Sequence, residues 1–170
     1  MGVAVVLLAA GYFVGGAMGD FAFKRTPRGR PLVCTAAVLM GAILMFITLS
    51  VPADNQMLFL VLLGLTALFV PVASPNVVST VYDITLPEVR STALAVQYLI
   101  EESGAALVPL LAGLIAKSSS LHNAILIICV SAWVLCSIFF AVTAYLVPRD
   151  IETLRSQMRE RATRELSKAV

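Results

Sequence analysis

Two adjacent carboxylates, Glu101 and Glu102, stand in the middle of an apolar run that extends from about Thr92 to Ala116. They lie about ten residues from the inner end of that run, roughly 15 Å along a helix. That depth is close to the midplane of a hydrocarbon core about 30 Å thick. Ionisable groups at such a depth are costly, and by default they mark a pathway or a proton site. Burial in a low dielectric favours the neutral form of a carboxyl, so an unpaired acid there is a natural proton carrier. Successive residues on a helix point about 100° apart, so the two acids serve different faces. Glu101 shares its face with Gln97, Gly104 and Val108. Glu102 shares its face with Ala95, Tyr98, Ala106, Pro109 and Gly113, a stripe mostly of small residues. The face with Gln97 suits a cavity lining and the small-residue face suits a helix contact, which favours Glu101 as the solvent-reaching acid. A coupling proton, a cationic substrate and a structural ion pair all remain compatible with these residues.

No enzyme constellation accompanies the acids. The single histidine, His122, belongs to a short polar loop. Cys34, Cys129 and Cys136 lie inside apolar runs without metal or redox spacing, where cysteine behaves as a small hydrophobe. There is no phosphate-binding glycine loop, so ATP-driven chemistry by this chain alone is not expected. No cofactor, no metal site and no nucleic-acid partner are expected.

The elements that must position the acids are membrane spans. Of 170 residues, 59% are apolar and only 13% charged, with mean hydropathy +0.94. A soluble domain is about 25% charged. Each span needs about 20 apolar residues, so five of them use nearly the whole chain and leave no room for a soluble catalytic domain. The spacing predicts an all-α, polytopic helix bundle with five transmembrane helices at about 3–23, 32–51, 57–80, 92–116 and 124–147. These form a transmembrane unit over 1–147, followed by a basic amphipathic tail helix over 148–170. The first span has no basic segment before it and is too long for a signal-peptide core.

Within the first span Gly11, Gly15 and Gly19 recur every four residues. Such a stripe lets helix backbones approach closely in lipid. The second span carries no charge. The third is interrupted by Pro71 and Pro75, each of which removes a backbone hydrogen bond and bends the helix. Thr66, Ala73, Asn76 and Thr80 fall within about 80° of one another at 100° per residue. That weakly polar stripe suggests that Thr66 and Asn76 look into a polar space. The fifth span, with Trp133, Phe139 and Phe140, suits a lipid-facing position. In the tail, Ile151, Leu154, Met158, Ala162 and Leu166 form one helical face among arginines. A basic amphipathic helix of this kind most simply lies on an anionic inner membrane surface.

Charge distribution orients the spans. Lys24, Arg25, Arg28 and Arg30 fall within seven residues between the first two spans. Together with Arg90 and the tail cations, eleven of the twelve Lys and Arg fall on one side, and only Lys117 on the other. Cationic loops stay on the cytoplasmic side. The expected topology therefore has the N-terminus outside and the C-terminus in the cytoplasm of a multi-pass cell-membrane protein.

Gly16-x-x-x-Asp20, followed by Arg25 and then Arg28-Gly29-Arg30, resembles the G-x-x-x-D-(R/K)-x-G-R-(R/K) loop of the major facilitator superfamily. Leu86-Pro-Glu-Val-Arg-Ser-Thr-Ala93 resembles the P-x-x-R-(G/S)-x-A start of a later helix in the same proteins, and Gly104, Pro109 and Gly113 fit that helix. Gly29 is displaced from Asp20, and Ser91 stands where glycine is commoner. The resemblance implies half of a major-facilitator-type fold, the C-terminal part at roughly helices eight to twelve. It implies secondary active transport of a small solute by alternating access. It also implies a partner in the missing N-terminal half, from the same gene or a second chain. The first and fourth spans would meet that half, the third would line the central cavity, and the second and fifth would face lipid. Asp20, Arg25, Arg28, Arg30, Glu88 and Arg90 would form a cytoplasmic gating network. The alternatives are a non-transporting scaffold or partner subunit, and an inactive truncated fragment.

Overall fold

In the computed structural model, which describes residues 2–52 and 54–168, the chain is a bundle of helices without strands among the described residues. The helices are α1 (Gly2–Arg25), α2 (Gly29–Ser50), α3 (Gln56–Phe69), α4 (Ala73–Ile84), α5 (Arg90–Ser118) and α6 (Leu121–Lys168). Among the described residues five segments are long and apolar enough to cross a membrane, with α3 and α4 together forming one of them.

The first hairpin is tighter than the charge run suggests. α1 extends through Arg25 and α2 begins at Gly29, so Lys24, Arg25 and Arg30 are helical and only Thr26, Pro27 and Arg28 turn. The Thr26 amide donates to Ala22 O at 3.1 Å and the Gly29 amide to Thr26 O at 2.9 Å. A side chain at Gly29 would run into the Ala22 carbonyl and the Phe23 amide, so glycine at this position lets the two helices meet directly after the turn. In the next turn, Asn55 caps α3 by accepting from the Leu58 amide at 3.3 Å. Ala53 of that expected turn lies outside the described residues.

The third span is longer than 57–80, running from Gln56 to Ile84. A single 3-10 turn at Val70–Val72, with Pro71 inside it, separates α3 from α4. Against this break packs α1. A Cβ at Gly15 would sit 2.6 Å from Val72 Cα, and one at Gly19 would overlap the Asn76 side chain. The glycine stripe thus brings the backbones of the two spans to within direct contact. Gly11 faces Leu68 and Pro71 in the same row, whereas a Cβ at Gly16 would meet Pro75 only at ordinary contact distance.

α2 is the hub of the bundle. It packs most extensively against α6 and also contacts α1, α3 and α4. Its buried positions are mostly small, with Cys34, Ala37, Gly41 and Ala42 among them. The second and fifth spans, expected to face lipid, are thus packed on each other along one side, and only the other side of each is exposed. Trp133 of α6 is not on the lipid side: it packs over Gly41, while Phe139 is the exposed neighbour. Ser137 fastens the pair by donating to Thr35 O at 3.2 Å.

The tail does not begin a new element at Pro148. α6 continues through it for 48 residues, about 72 Å at 1.5 Å per residue. Proline lacks only the one amide that would reach the carbonyl four residues earlier, and the flanking sequence favours helix on both sides. The start of the extension is docked on the α4–α5 connection. Ile151 is buried, Leu154 and Gln157 face Leu86 and Val89 across a crevice, and Arg161 Nη1 meets Glu88 Oε1 at 2.8 Å. The sequence-level picture of a tail lying on the membrane surface is replaced, over its first turns, by contact with protein.

Candidate functional site

The proline break in the third span has a spatial consequence. Beside this break a cavity of 560 Å³, lined by Phe69, Val70, Pro71 and Ala73, opens between α1, α2, α3–α4, α5 and α6. Its walls are apolar and aromatic, with Tyr12 from α1, Phe69 from α3, Trp133 and Phe140 from α6, and Pro71 and Val77 among them. Four polar side chains line it as well: Ser74, Cys136, Gln97 and Glu101. An apolar pocket with a few convergent polar groups is the usual form of a small-molecule site.

Gln97 and Glu101 are one helical turn apart on α5 and so share a face. Gln97 Nε2 donates to Glu101 Oε2 at 3.5 Å, a long contact for a hydrogen bond. The Gln97 carbonyl oxygen is buried without a partner. A carboxylate in a weak hydrogen bond and an amide oxygen in none leave acceptor capacity directed at the cavity side of α5. The site can therefore take up a proton or accept hydrogen bonds from cationic and other donor groups. Glu102 does not line this cavity. It lies on another exposed face of α5, where Gly113 also has nothing within 4 Å of a Cβ.

The two other polar candidates are placed differently from the sequence reading. Thr66 and Asn76 are 1% exposed and do not face the cavity. Thr66 donates to Leu62 O at 2.8 Å and lies 3.3 Å from the Thr48 hydroxyl of α2. Asn76 Nδ2 donates to Gly15 O at 2.8 Å and to Val72 O at 2.9 Å. Thr80 closes the row by donating to Asn76 O at 2.7 Å. The polar stripe of the third span is thus turned into the α1–α2 contact. In lipid, interhelical side-chain hydrogen bonds of this kind hold spans together. Pro75 lies against Gly16 in the same seam.

At the basic end, the charges sort into two groups. Arg30 of α2 bridges two acids, Asp20 of α1 at 2.7 Å and Asp83 of α4. Its guanidinium also lies 4.2 Å from the Phe23 ring centroid. A second pair joins Glu88 to Arg161 of the tail. Arg90 binds the Tyr82 carbonyl at 3.1 Å rather than an acid. Arg25 and Arg28 stand over the rings of Phe21 and Tyr145 and form no ion pair among the described residues. The six charges expected to form one network are thus divided.

Asp83, which lies beyond the 57–80 bounds expected for the third span, is inside α4 and joins the charges there. The signal was available: Asp83 is three residues beyond Thr80 and seven beyond Asn76, so it continues the same stripe. Tyr12, Trp133, Cys136 and Phe140 carry no comparable signal, because an aromatic or cysteine inside an apolar run reads the same whether it meets lipid or a cavity.

Compared with known proteins, residues 1–169 match the family model described as Major Facilitator Superfamily. No curated protein matches the chain.

Proposed function

Because the chain belongs to the major facilitator superfamily, a family of membrane transport proteins, we propose that it is one bundle of a secondary transporter. In this reading it works by alternating access against a second bundle, with Glu101 as its proton- or cation-coupling acid. The observation that carries the reading is the contrast on α5: Glu101 opens on a 560 Å³ cavity with Gln97, whereas none of the apolar window of α5 is buried. A membrane helix with two carboxylates about 100° apart cannot turn both away from lipid unless protein or water covers most of it. The second bundle supplies that cover in our reading. α5 and the exposed side of α1 form the contact, and the chain corresponds to the C-terminal part of the complete transporter.

The basic end is then cytoplasmic, following the placement of Lys24, Arg25, Arg28 and Arg30. The Asp20–Arg30–Asp83 bridge ties α1, α2 and α4 at that end. In this reading it holds those three helices together while the bundle rocks against the second one. Asp20 keeps 63% of its side chain exposed, which leaves it free to meet the second bundle in one of the two access states.

The test uses the chain in lipid vesicles and a hydrophobic carbodiimide, which reacts only with protonated carboxyls reachable from the apolar phase. Glu101 should take the label. Glu101→Gln should remove most of it and Glu102→Gln little. In the assembled transporter, Glu101→Gln should abolish pH-driven uptake at an unchanged protein level. Label on Glu102 alone, or proton coupling that survives Glu101→Gln, would remove the assignment.

A further inference from the structure

On the side of α1 and α2 opposite the Glu101 cavity lies a second groove of 530 Å³. Tyr12 and Val38 face the first cavity, whereas Val14 and Met40, two residues further along each helix, face the second. Two residues on a helix correspond to about 200° of rotation, so the two spaces share walls and open in opposite directions. The floor of the second groove is Phe69 and Val72, and its walls include Met18 and Leu32. Its lining carries no acid, and its polar residues are Arg25 and Thr26, both at one end.

From Arg25 to Val14 the groove follows α1 for eleven residues, about 16 Å at 1.5 Å per residue. That is the depth of one leaflet of a hydrocarbon core about 30 Å thick. Arg25 ends the membrane-length segment Val5–Arg25, the position at which a leaflet would meet its headgroups, and Lys24 and Arg28 flank it in the chain. All three are exposed, and none forms an ion pair among the described residues. Their neighbour Arg30 is compensated by Asp20 and Asp83. The hairpin therefore keeps three uncompensated cations at the mouth of an apolar slot one leaflet deep.

We propose that this groove binds one acyl chain of an anionic phospholipid, with the headgroup phosphate on Arg25 and with Lys24 and Arg28 adding to its attraction. The apolar lining matches an acyl chain and the cations match an anionic headgroup. The proposal rests on membrane insertion alone and is independent of the role given to Glu101.

The full chain, reconstituted in nanodiscs of equal phosphatidylglycerol and phosphatidylcholine, is released into mild detergent, and the retained lipid is counted by native mass spectrometry. Phosphatidylglycerol should be retained about tenfold or more over phosphatidylcholine, since each cation at an anionic surface is worth about fivefold. The triple variant Lys24→Gln, Arg25→Gln, Arg28→Gln should bring the ratio near one, and Lys117→Gln at the opposite end should leave it unchanged. Ala36→Phe, which fills the groove, should reduce retention of both lipids. Should the triple variant unfold, Arg25→Gln alone keeps the test open, with an expected drop of about fivefold. Equal retention of the two lipids by the parent overturns the proposal. So does a preference that Arg25→Gln leaves undiminished, or a groove found closed by a second copy of the chain.

Discussion

The third and fourth spans carry similar numbers of polar side chains into the membrane and use them in opposite ways. On α3 and α4, Thr66, Asn76 and Thr80 are buried, and each donates to a backbone carbonyl. On α5, Gln97, Glu101 and Glu102 are less enclosed, and they share a single long hydrogen bond. Both sets interrupt an apolar helix. What separates them is the neighbour: α1 presents glycines to the third span and closes over it, whereas α5 touches mainly α6. A polar residue in a membrane helix is a structural clasp when a second backbone lies against it. It is a candidate for chemistry when nothing does.

The strongest way to break this comparison is to open the clasp. Gly19→Val would place side-chain atoms where the Asn76 amide lies, and Asn76 is fixed by two hydrogen bonds and cannot swing aside. The expected loss is about 3 kcal/mol of bundle stability, the upper part of the overpacking range. Reversible unfolding in mixed micelles measures it. Gly16→Ala is the control, since its Cβ would meet Pro75 at 3.8 Å, and it should be near neutral. Equal effects at Gly16 and Gly19 would mean that α1 does not approach the third span along the Gly11–Gly15–Gly19 row.

A smaller effect is expected at the charged end of the same clasp. Arg30→Gln leaves Asp20 and Asp83 facing each other's vicinity without their cation. Removing one member of a half-buried pair should destabilise by about 2 kcal/mol. Asp83 is 24% exposed and Asp20 63%, so Asp83→Asn should lower stability more than Asp20→Asn. A reversed order would show that the α1 acid, rather than the α4 acid, holds the bundle together.

The sequence made some of this legible and hid the rest for identifiable reasons. Span number and the glycine row depend only on local composition and helical period, and both could be read directly. The stripe Thr66, Asn76, Thr80 could also be read, but not what covers it: the partner of Asn76 is a carbonyl 61 residues away. A polar row facing a cavity and one facing a glycine seam have the same periodicity. Trp133 was placed toward lipid because lipid tails are as apolar as a protein interior, so hydropathy cannot tell the two apart. Pro148 looked like a boundary because proline is a strong breaker on average, yet α6 carries it where only one hydrogen bond is lost. Asp83 was hidden because the span expected to end at 80 runs four residues further, to Ile84. Of the candidate site, the Gln97–Glu101 face was legible because one helix carries both residues. The aromatic walls come from α1, α3 and α6, and their convergence exists only in the fold.

The smallest expected effect sharpens the comparison most. If α5 carries groups for chemistry rather than for packing, its acids should contribute almost nothing to the stability of this chain by itself. Neither acid forms an ion pair among the described residues, and Glu101 has one hydrogen bond, at 3.5 Å. Glu101→Gln keeps the shape of the side chain and can still meet Gln97. Glu101→Gln and Glu102→Gln should each change the unfolding free energy by no more than about 0.5 kcal/mol, the range of substitutions outside packed or paired sites. Asn76→Leu, measured beside them, removes both amide bonds of the clasp and should lose about 1–2 kcal/mol. A loss at Glu101 as large as that at Asn76 would mean that the acid is held by a partner within the bundle. It would then belong with the clasp, and the cavity on α5 would lose the one group able to carry a proton.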